Sequence, residues 1–147
     1  MADETNAEQA ERLSKRRALI MPFLAIVYLG QQYSYLSYAG GTSPVGGVRI
    51  GAWAVMSAVL MVALMSGGGL LRSREVRAMI NDETSRAHRS DALAWGFVVA
   101  MVTGIVLYIL GPNLIDQRET IHLIVSLGIA TALIRFGLLE RRAMRDA

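Results

Sequence analysis

Two histidines, His88 and His122, come first to mind for chemistry in a chain of 147 residues that has no cysteine. The missing thiols exclude disulfides, thiolate catalysis and iron–sulfur ligation together. His122 follows Glu119 by three residues, with Asp116 just upstream, a spacing that could begin a metal site. The set has no second imidazole close by, so no metal ligand is assigned. His88 and His122 fall at opposite ends of two apolar stretches and cannot share one haem, and no cofactor is expected. A second polar group interrupts the apolar run "YLGQQYSYLSY". There Gln31 and Tyr35 fall near one helical face, with Gln32 elsewhere on the turn. Such amides need hydrogen bonds inside an apolar medium, from Ser57, from Thr103, from a second copy or from a small solute. The third group is charged. In "NDETSRAHRSDALA", Asp82, Glu83, Arg86 and Arg89 lie within two helical turns, and Asp91 follows as a partner for Arg135.

The elements that must position these residues are apolar helices. Of the chain, 53% is hydrophobic, with a mean hydropathy of +0.38. The apolar residues gather into four stretches, 18–39, 48–71, 92–110 and 120–139. Each is close to the roughly 20 residues that cross a bilayer core of about 30 Å. The interiors of the second and third stretches lack the polar stripe of a soluble bundle. The expected fold is all-α, a four-helix transmembrane bundle formed by a single domain of residues 18–147 behind a polar leader of residues 1–17. Small residues at "SYA" before Gly40 resemble a signal-cleavage site, but the first stretch is long and holds two glutamines, so it is expected to be retained.

Orientation follows from the arginines. Arg12, Lys15, Arg16 and Arg17 precede the first stretch, five arginines lie between the second and third, and Arg141, Arg142 and Arg145 follow the fourth. Only Arg49 and Arg118 fall on the other side. The positive-inside rule then puts both termini and the loop 72–91 in the cytoplasm. The formal net charge of +3 is explained by membrane flanks, and no nucleic-acid partner is expected. Gly96, Ala100 and Gly104 recur at four-residue intervals in the third stretch. They could seat another helix of the chain or a homo-oligomer contact.

No Asp or Glu lies near the middle of any stretch, which argues against a proton-coupled antiporter. No nucleophile–base pair, phosphate loop or metalloprotease helix is present either. The chain is therefore expected not to be an enzyme. The reading that remains is an inner-membrane interaction or regulatory subunit whose loop offers Asp82, Glu83, Arg86 and Arg89 to a protein partner. Its alternative is a small-solute carrier or sensor built on Gln31, Gln32 and Tyr35.

The segment with Asp82, Glu83, Arg86 and Arg89, followed by the small Ala92 and Ala94, resembles a loose group of small bacterial inner-membrane proteins of unknown function. Those proteins have four spans and a D-E-x-x-R-type motif entering the third. The resemblance covers this loop and the start of one span. It implies the same topology in a bacterial inner membrane and transfers no catalytic residue.

Overall fold

The computed structural model describes residues 6–37, 44–67, 83–110 and 116–146, and of these residues four stretches are helical and none is a strand. Helix α1 spans Asn6–Ser37, α2 Pro44–Ser66, α3 Glu83–Leu110 and α4 Gln117–Asp146. Three of them, α2 from Gly47, α3, and α4 to Arg145, are long and apolar enough to cross a membrane. The amides of "GQQ" dilute the apolar run of α1, which is not among the three.

Local sequence explains where the helices begin and end. α2 opens on Pro44, whose ring presets the first helical φ and whose missing N–H would have been an orphan there. It closes at Gly67, the described glycine with a left-handed φ of 63°. There the Gly67 amide donates to the Leu64 carbonyl at 3.2 Å. The stretch expected to continue to residue 71 therefore ends as a helix at Ser66. Asp116 caps α4, its Oδ1 accepting from the Gln117 amide at 2.8 Å and its carbonyl from the Thr120 amide at 2.9 Å. From Asn6 onward the leader belongs to α1, and α3 takes up the second half of the expected loop from Glu83 onward. Asn81 and Asp82, either of which could cap α3 by its side-chain type, lie outside the described residues, as do Gly68 and Gly69.

α4 is the central helix. Half of its most apolar window is buried, against a small fraction for α2 and α3. Leu133 and Phe136 are buried, together with Met21, Ala25 and Tyr28 of α1 and Leu60 and Leu64 of α2. α1 and α3 pack along α4, while α2 touches it lightly.

Small residues set the close approaches. A Cβ added at Gly96 would lie 2.7 Å from the Gly128 carbonyl oxygen and 2.9 Å from the Ala132 Cβ. One added at Gly137 would lie 2.5 Å from ring carbons of Pro22. Pro22 sits well inside α1, because the helix starts in the leader. Its ring fills the notch that Gly137 leaves, so the usual cost of an interior proline accompanies a packing gain. Gly96, Ala100 and Gly104 all face α4 of the same chain, at Gly128, Ala132 and Ile124.

Candidate functional site

Polar side chains collect at two levels of the bundle. At the basic end, the start of α1, the end of α2, the start of α3 and the end of α4 meet. Arg17 is buried there. Its Nη1 donates to the Gly67 carbonyl at 2.9 Å, and its Nη2 to Oε2 of Glu140 at 3.4 Å. Glu140 is also buried, and its other oxygen lies 3.4 Å from Nδ1 of His88. Arg89 folds inward, Nη1 donating to the Met65 carbonyl at 2.8 Å and Nε to the Ser85 carbonyl at 3.3 Å. Two arginines from α1 and α3 thus satisfy a carbonyl in the last turn of α2 and the one just past it, and α2 has no basic residue in its own last turn. Burial is the largest pull on the Arg17 guanidinium and lowers its pKa. Glu140 opposes that pull, and Arg89 adds to it. The Arg17 guanidinium also stands 6.0 Å from the Phe136 ring centre.

A few residues further along, Arg135 Nε donates to Oδ2 of Asp91 at 2.8 Å, tying α4 to α3. The pair is partly exposed, and the Arg135 guanidinium lies 5.6 Å from the Trp95 ring centre. The pairing expected from the sequence is the contact found. Arg141 adds a bond from Nε to the Ala18 carbonyl at 3.1 Å.

The second level lies in the opposite half and is built from three pairs of residues four apart, Tyr28 with Gln32 on α1, Trp53 with Ser57 on α2, and His122 with Ser126 on α4. Such pairs share a helix face. Tyr28 Oη lies 2.7 Å from Ser57 Oγ and 3.4 Å from Ser126 Oγ. The Trp53 indole N–H donates to Ser126 Oγ at 3.2 Å. The Trp53 and His122 rings stack with centroids 4.4 Å apart and 27° between planes. His122 Nε2 meets Gln32 Oε1. Tyr28, Gln32, His122 and Ser126 are all buried.

Of the residues singled out from sequence, Gln32 points into this network, but Gln31 is exposed. Gln32 finds His122 as its partner rather than Ser57 or Thr103, and Ser57 is taken by Tyr28. Tyr35 is helical, and its side chain lies outside the described residues, as does all of Asp82. Glu83 and Arg86 are exposed at the start of α3, whereas Arg89 is turned to α2. His122 does not join Asp116 and Glu119: among the described residues no three His, Cys, Asp or Glu side chains converge. Sequence reasoning passed over Glu140, Tyr28, Trp53 and Ser126. The repeated spacing of four between polar residues in apolar helices was the signal that could have found the last three.

Among the described residues, three buried polar atoms have no hydrogen-bond partner: Arg17 Nε, Ser85 Oγ and Gln32 Nε2. A buried orphan of this kind costs about 1–3 kcal/mol. Between α2 and α3, over α4, runs an apolar groove of about 460 Å³. Ser57 lines it on one side, so the groove touches the polar network at its edge. No protein-family model, curated protein or solved structure matches the chain.

Proposed function

We propose that the chain is a four-span integral protein of a bacterial inner membrane, with both termini and the loop 72–91 cytoplasmic. In this reading it is a non-enzymatic interaction or regulatory subunit whose loop receives a protein partner. Three apolar helices support the membrane setting. α1 runs beside α4 from Arg17 at Glu140 to Gln32 at His122. That is 15 residues, about 22 Å of helix, and its outer face is Leu19, Ile20, Phe23, Ile26 and Val27, all exposed. An apolar face of that kind is stable against lipid, which supports α1 as the fourth span.

Native absence of cysteine makes the topology simple to test. Gln117→Cys should react with a membrane-impermeant maleimide in intact cells, and Thr84→Cys only after permeabilisation; both positions are exposed. The opposite pattern would reverse the orientation.

The observation that carries the interaction reading is exposed charge on the first turn of α3, where Glu83 and Arg86 stand one turn apart at the surface. A photo-crosslinking residue at Thr84 should then give a defined protein adduct in native membranes. The adduct should disappear when Asp82, Glu83 and Arg86 are replaced together by alanine. An adduct of unchanged yield in that variant would remove the loop from the interface.

One observation favours the second reading, a small-solute carrier or sensor. The Gln32 amide nitrogen is buried, unpartnered and beside the His122–Trp53 stack. A small polar solute would complete its hydrogen bonding.

A further inference from the structure

The walls of the apolar groove continue into charge at the basic end. On α3 the groove is lined by Leu93, Gly96, Phe97 and Ala100. Arg89 and Arg86 precede Leu93 by four and seven residues and so extend the same helical stripe. On α2 the wall is Ala58 and Met61. Met65 follows one turn later, and its carbonyl accepts from Arg89, which closes the foot of the groove. The stripe from Arg86 to Ala100 is about 21 Å long at 1.5 Å per residue, apolar for its upper half and doubly cationic at its foot. Arg86 is exposed, and among the described residues no acceptor meets the second terminal nitrogen of Arg89.

We infer that this groove is the seat of an anionic phospholipid, one acyl chain lying between α2 and α3 and the phosphate on Arg86 and Arg89. The inference rests on the membrane reading above. The apolar lining suits a hydrocarbon chain, and a zwitterionic headgroup would bring a cation of its own beside the two guanidinium groups, which an anionic one does not. Basic pockets between helices at the cytoplasmic face hold anionic headgroups by the same complementarity. The α3 stripe also explains why light packing of α2 against α4 is tolerated: the chain of the lipid fills what α2 leaves open.

The test is native mass spectrometry of protein released from nanodiscs containing equal phosphatidylglycerol and phosphatidylcholine. The wild type should retain phosphatidylglycerol preferentially, and Arg86→Gln should lower that preference about fivefold, the effect of one basic residue near a membrane surface. Ala58→Trp, which fills the groove from an exposed position, should reduce retention of both lipids alike. Equal retention of the two lipids by the wild type would overturn the inference. So would dimer masses that Ala58→Trp abolishes, which would assign the groove to a second copy. Failure of the membrane reading would appear separately, as protein in the soluble fraction of lysed cells before any detergent is added.

Discussion

Replacing Glu140 by alanine should lower stability by about 3–5 kcal/mol, the cost of leaving a buried charge without its partner. Arg17 would keep its bond to the Gly67 carbonyl but lose the carboxylate its guanidinium meets among the described residues. Its Nε already lacks a hydrogen bond, so no spare interaction compensates. His88 would lose its acceptor in the same step. The opposite case is removal of both charges. Arg17→Met with Glu140→Leu should recover most of the loss, since a buried ion pair exchanged for apolar residues of similar volume is often near neutral. Thermal or denaturant unfolding in mild detergent measures both variants. An unchanged midpoint for Glu140→Ala would mean that the pair is solvated and carries little.

The second large effect is steric. Gly96→Ala puts a methyl group 2.7 Å from a backbone carbonyl oxygen of α4 and 2.9 Å from a second Cβ. Neither neighbour is the movable end of a long side chain, so the helices themselves must part. Overpacking of that kind costs about 1–3 kcal/mol, and Gly96→Leu should exceed the alanine variant. Gly51 is the control, with nothing within 4 Å of an added Cβ. Gly51→Ala should be neutral or stabilising by up to about 1 kcal/mol through helix propensity alone. Unfolding midpoints of the three variants check the ordering. If Gly96→Leu altered the oligomer mass while leaving the midpoint unchanged, the small-residue stripe would belong between copies, against the placement of Gly96 on Gly128.

The helical class and the three strongest apolar helices were legible because a run of about 20 apolar residues has few other solutions. Asp91 with Arg135 was legible for a related reason: two charges placed at matching depths on adjacent helices have few alternatives to each other. Glu140 was not, because it stands next to Arg141 and Arg142, where an acidic residue reads as part of a solvated charged tail. Only the course of α1 along α4 shows that it faces Arg17. Gln31 and Gln32 illustrate a different limit. Adjacent residues differ by about 100° around a helix, so which amide turns inward depends on where α4 lies. The end of α2 was displaced for a backbone reason, since Gly67 takes a left-handed φ that an apolar count does not register.

The arginine caps on α2 bear on biogenesis. A helix that meets α4 only lightly gains little from side-chain interdigitation. Polar bonds fasten it at its C-terminal end, through Arg17 and Arg89, and near its middle, where Ser57 meets Tyr28 and Trp53 meets Ser126. Membrane helices insert individually before they associate. The hairpin of α3 and α4, with α1 laid along it, can therefore assemble as a self-sufficient core. α2 would join late, latched when its terminal carbonyls find the two guanidinium groups. The order in which the chain leaves the ribosome and the order in which its helices settle would then differ, with the second helix made settling last.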